Sequence, residues 1–214
     1  MARTTDACPF GPELQIYWDK RYKLFSKFDE GIQLDEEGLY SAMPETTGLE
    51  QAKHIVGSVI YDAFAGVGGT SIAYARAGKQ VIATDINAKR LAMAEHNAQI
   101  YGVSNNIDFI CADFFKMASH VEAHTVVLDP PWGGPAYKSK NVFHKENLVA
   151  QSTILDNPDG HAILNLALRY FSEVVLRVPL NFDLSELNSY NHQSRVYDDV
   201  LDERVICRTV VFSS

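Results

Sequence analysis

The segment from 58 to 70 constrains this chain more than any other. Ser58 to Phe64 is a continuous apolar run broken only by Tyr61 and Asp62, and Gly66, Gly68 and Gly69 follow it directly. A largely apolar run of this length marks a strand buried on both faces, as in a parallel sheet. Glycines at its end permit positive φ and close approach of backbone to a ligand, and the residues after them, 70–77, have helical spacing. Strand, glycine turn and helix form the first half of a β-α-β unit, which needs a parallel neighbour.

The rest of the chain supplies that neighbour. The pattern predicts strands at 58–64, 80–84, 107–111, 125–128 and 173–178. Helices are predicted at 47–57, 70–77, 88–101, 114–119, 159–170 and 183–190. Two late strands, 194–199 and 204–212, flank the acidic turn from Asp198 to Glu203 and read as an antiparallel hairpin at a sheet edge. Before this region, residues 1–13 read as a loose tail broken by Pro9, Gly11 and Pro12. Residues 13–28 read as one amphipathic helix, with Lys20, Arg21, Lys23 and Lys27 on its polar side. The acidic run Asp29, Glu30, Asp35, Glu36 and Glu37 reads as a solvated loop. The expectation is an α/β fold, Rossmann-like, with a seven-stranded mostly parallel sheet, an antiparallel edge hairpin and an N-terminal helical extension.

Composition narrows the partners. With 19 basic and 27 acidic residues the net charge is −8, which disfavours a long nucleic-acid track or an anionic membrane surface as the main partner. Three scattered cysteines imply neither a disulfide framework nor a zinc site, and the seven histidines show no metal-ligand spacing. No run approaches the ~18 apolar residues of a membrane span, and the N-terminus lacks a signal-peptide pattern. An intracellular protein without a metal is expected.

The acids at the strand ends point to the ligand. Asp85 closes the second strand, where a carboxylate can hold both hydroxyls of a ribose. Asp62, just before the glycines, would repel a pyrophosphate but suits the ammonium of a methionine moiety. Asp113 follows the third strand beside Phe114 and is a candidate acceptor for an adenine amino group, or a helix cap. The three acids together favour S-adenosylmethionine over a dinucleotide.

Asp129-Pro130-Pro131-Trp132 ends the fourth strand. Two prolines remove two N–H donors and stiffen the backbone, leaving a corner of acceptors, the Asp129 carboxylate and the Pro130 carbonyl, beside an aromatic plane. Such a corner suits an exocyclic amine on a flat ring. The predicted chemistry is direct in-line transfer of a methyl group to that amine, accelerated by alignment and preorganised acceptors.

Several segments resemble the trimethylguanosine synthase family of RNA cap guanine-N2 methyltransferases: Tyr17-Trp18, Arg21 through Ile32, Pro44-Glu45, Asp62 through Gly69, Pro130-Pro131-Trp132-Gly133-Gly134-Pro135 with Tyr137, and Pro158-Asp159-Gly160. The resemblance runs from about residue 16 to the C-terminus. It implies a class I methyltransferase that uses S-adenosylmethionine, yields S-adenosylhomocysteine, and acts on 7-methylguanosine-capped small RNA or a cap analogue in the nucleus or cytoplasm. It implies that Asp62, Ala63, Phe64, Gly66, Gly68, Thr70, Asp85, Ile86, Asp113 and Phe114 hold the cofactor, with Phe25 closing over it. Trp132 would stack on the cationic base, gaining about 0.5–2 kcal/mol of cation–π attraction that an unmethylated guanine lacks. Pro131, Asn97, Arg177 and Lys138 complete the substrate side. Residues 1–45 would form a lid and substrate wall, and 46–214 the methyltransferase domain.

The chain departs from the family pattern at three points. Asp129 stands where the family typically has serine, and Ile16 and Leu180 stand where it has cations facing the cap phosphates. Arg177, Lys20, Lys23, Lys27, Lys138 and Lys140 are the local replacements. Two alternatives stay open: an amino-methyltransferase acting on another guanine or adenine in RNA or DNA, and a cap-binding module without catalysis. No feature of the sequence sets an oligomeric state.

Overall fold

The computed structural model describes residues 6–213; the first five residues of the predicted tail lie outside them. Among these described residues, seven strands form one sheet: β1 Val59–Asp62, β2 Gln80–Asp85, β3 Ile107–Cys111, β4 Thr125–Leu128, β5 Glu173–Val178, β6 Gln193–Leu201 and β7 Arg204–Ser213. Their order is β3-β2-β1-β4-β5-β7-β6. The first five are parallel, and β7 runs antiparallel to both β5 and β6. Strand order reverses between β1 and β4, so their carboxyl ends, at Asp62 and Leu128, diverge into a crevice.

Among the described residues, eight α-helices accompany the sheet: α1 Gln15–Trp18, α2 Arg21–Leu24, α3 Glu36–Ser41, α4 Glu45–Gln51, α5 Gly69–Arg76, α6 Ala88–Tyr101, α7 Phe114–Met117 and α8 Gly160–Tyr170. The period of two along each strand divides the core. Ile60, Val127, Val175 and Val211 join the apolar cluster on one face, with α5, α6 and the N-terminal segment. Tyr61, Val126, Leu128, Val174, Leu176 and Phe212 join the cluster on the other, with α8. Leu14, Leu24, Phe25, Ile32 and Leu39 belong to the first cluster, so the N-terminal segment shares the core of the sheet.

Four local expectations differ from the structure. The predicted helix over 13–28 is two short helices flanked by 3-10 turns, because Trp18 to Lys20 turn the chain before α2 begins. Arg21, assigned to the polar side, is buried: Nη1 donates to the Trp18 carbonyl at 2.9 Å, and its guanidinium lies 4.5 Å from the Trp18 and Tyr22 ring centroids. The acidic run is not a loop throughout. Asp35 accepts from Gly38 N at 2.8 Å and starts α3 as an N-cap. Arg90 of α6 pairs with Asp35 at 2.7 Å and Glu37 at 2.5 Å, which ties this helix to the domain. The segment at 183–190 is a 3-10 helix rather than an α-helix.

Candidate active site

Beyond β1, Ala65 N donates to the Thr84 carbonyl at 2.9 Å, bending the chain away from the sheet. Gly66 then takes φ +52 and donates its N–H to Asp85 Oδ2 at 2.8 Å, while Asn87 N donates to Asp85 Oδ1 at 2.8 Å. Asp85 is thereby fixed at the end of β2. Space above Gly66 is open: a Cβ there would meet nothing within 4 Å. Gly68 differs. Its Cβ would lie 3.0 Å from Ala94 Cβ, so this glycine serves the packing of α5 against α6, and it is not among the residues lining the cavity.

The open space is part of a cavity of about 340 Å³ along the carboxyl ends of β1, β2 and β4. Ala63, Phe64, Gly66, Thr70, Asp85, Ile86 and Phe114 line one part of it; Asp129, Pro130, Pro131, Trp132, Lys138 and Arg177 line another. The sequence reading therefore placed most of its candidates on one continuous surface.

Asp62 lies directly behind Ala63, fully buried. Ser71 Oγ donates to its Oδ2 at 2.5 Å, and Oδ1 has no hydrogen-bond partner among the described residues. Burial pushes its pKa up to about 7, only partly offset by the Ser71 bond. The Asp62 carboxylate, set behind the cavity-lining Ala63, suits a ligand ammonium, and Asp85 with the open Gly66 backbone fits a ribose. These residues meet the requirements of S-adenosylmethionine.

Three candidates are engaged elsewhere. Asp113, expected to meet adenine, caps α7 through Phe115 N and anchors the loop at 152–153, accepting from Thr153 N at 2.6 Å and from the Ser152 and Thr153 hydroxyls. Partial burial opposes its ionisation, but these bonds outweigh it and hold Asp113 below the usual carboxylate range. Asn97, expected on the substrate side, is wholly buried. It accepts from Gln33 N at 2.8 Å and donates to the carbonyls of Gln33 and Val67, clamping the N-terminal segment to the glycine turn. Phe25 is core, packed against Tyr101 at 6.4 Å between ring centroids, and does not line the cavity.

Arg177 also departs from expectation. Its guanidinium is buried in β5 and donates through Nη1 to Asp129 Oδ2 at 2.6 Å and to the Ser41 carbonyl at 3.2 Å. Burial opposes its charge, but Asp129 outweighs that and raises the Arg177 pKa far above its ordinary value. Burial lifts Asp129 against the pull of Arg177. A cation committed in this way does not stand ready for cap phosphates. Lys20, Lys23 and Lys138 do border the cavity. Lys23 pairs with Asp202 at 2.7 Å, and Lys138 donates to the Tyr17 hydroxyl at 2.9 Å. Lys27 and Lys140 lie off it: Lys27 bonds Glu30 and the Ile100 carbonyl, and Lys140 packs over Phe143.

Trp132 stands at the mouth of this part of the cavity, edge-on to Tyr137 at 5.2 Å. The sequence reading missed the opposite wall, which includes Tyr40, Ser41, Ala42 and Met43 from α3 and the turn after it, with Gln151 and Ile206. The available signal was Asp35 followed by Glu36, Glu37 and the apolar pair Leu39-Tyr40, a capped helix start read as a loop. The structure also gathers His144, Asp183 and Glu186, whose ligand atoms all lie within 4.8 Å of one another. No spacing in the sequence foretold this trio. His144 Nδ1 contacts Glu186 Oε1 at 2.5 Å, and the group is not part of the cavity lining.

A sheet of this strand order, with an acid ending β1, a glycine turn after it and a second acid ending β2, defines a Rossmann-like, S-adenosylmethionine-dependent methyltransferase. The architecture is shared with a methyltransferase structure from Porphyromonas gingivalis W83, which matches 97% of this chain and 52% of that one with a TM-score of 0.66 at 15% identity. A sequence model of the RNA cap guanine-N2 methyltransferases matches residues 57–211. The trimethylguanosine synthase of Schizosaccharomyces pombe is 38% identical over 195 residues, 86% of this chain and 78% of that protein. That of Saccharomyces cerevisiae is 28% identical over 183 residues, 80% of this chain and 56% of that protein. The chain belongs to the RNA cap guanine-N2 methyltransferase family.

Proposed function

We propose that this protein methylates the exocyclic N2 amine of 7-methylguanosine in RNA caps, with the base stacked on Trp132. The observation that carries this reading is the continuity of the cavity, which runs from the open glycine turn and Asp85 to the Pro130-Pro131-Trp132 corner. A cofactor and a flat base would thereby share one space. S-adenosylmethionine, when bound, supplies a methyl group on a cationic sulfur that an amine can take up directly.

The chain's own part is positioning. Asp62 meets the ammonium and Asp85 the ribose of the cofactor. Trp132 and Pro131 fix the plane of the base, and the Pro130 carbonyl accepts from its amine while Asp129 is committed to Arg177. Alignment of the two reactants accounts for most of the acceleration, since holding them in register replaces a bimolecular encounter. The proton leaves the methylated amine to water. Residues 1–45 act as substrate wall and lid over the domain at 46–214; Tyr17, Lys20 and Tyr40 supply that wall's cavity-facing groups.

Transfer of labelled methyl groups from S-adenosylmethionine to 7-methyl-GTP, with GTP and ATP alongside, tests the reading. Product from 7-methyl-GTP alone is the expected result, and its mass counts the methyls added. Turnover of GTP or ATP at a similar rate would favour an amino-methyltransferase of other bases. Trp132→Ala is expected to lose activity on 7-methyl-GTP by roughly tenfold or more while S-adenosylhomocysteine binding is retained.

A further inference from the structure

Arg177 lies in β5, whose six residues are all buried. A guanidinium in such a strand needs partners on every side. Nη1 takes Asp129 and Ser41, and Nε donates toward Cys207 Sγ at 3.3 Å. One further contact matters for the substrate: the Arg177 guanidinium carbon lies 5.2 Å from the centroid of the Trp132 ring. The aromatic plane assigned to the base therefore already has a cation against it. A second cation brought to the same ring is repelled by the first and shares its π electrons, whereas a neutral base is not penalised in this way.

The counter-charge within contact distance of Arg177 is Asp129, at 2.6 Å. Asp199 is one sulfur further off: Cys207 Sγ contacts Asp199 Oδ2 at 3.2 Å, and Asp199 borders a separate small cavity with Gln51 and Tyr197. Burial pushes the Cys207 thiol up to about 12, so the intervening sulfur is neutral at physiological pH. Lys138, the other cation on this side, sits with its Nζ 4.9 Å from the Tyr17 ring centroid.

We propose that Asp129 is a specificity-determining residue: by neutralising Arg177 beneath Trp132, it lets the pocket prefer a positively charged 7-methylguanine over a neutral guanine. Asp129 acts here through Arg177 and the ring, not as the base that removes a proton. The inference rests on the cap reading above.

The test compares equilibrium binding of 7-methyl-GTP and GTP to the full chain loaded with S-adenosylhomocysteine. Both nucleotides carry the same triphosphate, so the ratio of their affinities isolates the base. Asp129→Asn keeps the shape and an acceptor for Arg177 but removes the charge. It is expected to lower the preference for 7-methyl-GTP by roughly tenfold, mainly by weakening 7-methyl-GTP. The double variant Asp129→Asn with Arg177→Met removes both charges and is expected to regain most of the preference. Asp129→Ser with Arg177→Met is a second neutral pair, in case the first folds poorly. Equal weakening of both nucleotides in Asp129→Asn, or double variants no more selective than the single one, would overturn the inference. A native protein indifferent to the base's charge would instead defeat the cap reading, and this inference with it.

Discussion

Asp62 shows how a residue can be poised by what it lacks. Its Oδ2 is satisfied by Ser71 and its Oδ1 is not, in a site sealed from solvent. Burial raises the folded pKa to about 7, above that of the unfolded chain. Between the ordinary carboxylate range and about pH 7, the folded state therefore holds a proton that the unfolded state has lost. Stability falls as pH rises through that window and levels off above it. Asp62→Asn is expected to flatten that slope in denaturation measured from pH 4 to 8. A bound ammonium reverses the shift, because a positive partner favours the carboxylate. Binding of S-adenosylhomocysteine at pH 6 should accordingly release protons in calorimetry run in two buffers, and Asp62→Asn should abolish the release. Native binding without proton release would remove Asp62 from the ammonium site. Asn97 makes the opposite case, with its side-chain amide fully engaged and no place in the cavity lining. Asn97→Ala should cost about 1–3 kcal/mol in denaturant unfolding, by leaving the Val67 and Gln33 groups unpaired. It should leave the preference for 7-methyl-GTP unchanged.

At the scale of elements, the glycine turn and α3 divide the work of shaping the cavity. Gly66 leaves space for a ligand, whereas Gly68, at φ +92, lets α5 and α6 approach. Gly68→Ala adds a Cβ against the Ala94 backbone in a left-handed conformation, and a loss on the order of 2 kcal/mol is expected from thermal unfolding. α3 is short and lacks the length for stability of its own. It persists through its Asp35 cap and the two ion pairs to Arg90, so the wall carrying Tyr40 and Ser41 depends on α6. Asp35→Ala should cost about 1 kcal/mol and speed amide exchange selectively over Glu36–Ser41.

For the whole molecule, the N-terminal segment is core as well as wall. Leu14, Leu24, Phe25, Ile32 and Leu39 pack in one cluster with Ile60 and Val81 of the sheet. Each buried side chain of this kind contributes about 1.5–3 kcal/mol, against a total stability of about 5–15 kcal/mol for a domain. A chain reduced to residues 46–214 is therefore expected to lose cooperative unfolding by circular dichroism, rather than to persist as a methyltransferase missing a lid. Retention of a sharp transition would show that the sheet can be completed without that segment.

The sequence by itself determined the succession of the strands, the antiparallel hairpin expected over 194–212, the glycine turn with Asp85, and the Asp129-Pro130-Pro131-Trp132 corner. These features are encoded within a few neighbouring residues, by periodicity, by the freedom of glycine and by the constraint of proline. The tertiary structure decided what local pattern leaves open. Arg177 reads in the sequence as a spare cation and in the fold as the partner of Asp129, because β4 and β5 are parallel neighbours in the sheet. Asp113, read as an adenine contact or a helix cap, caps its helix and also clamps the loop at 152–153, and Asn97, read as a substrate contact, clamps the strap at Gln33, because these segments arrive beside them from distant parts of the chain. The helix in the acidic run needed Arg90 to hold it. A hydrogen bond or ion pair between remote residues depends on how whole elements pack, and packing is a property of the assembled core rather than of any short segment.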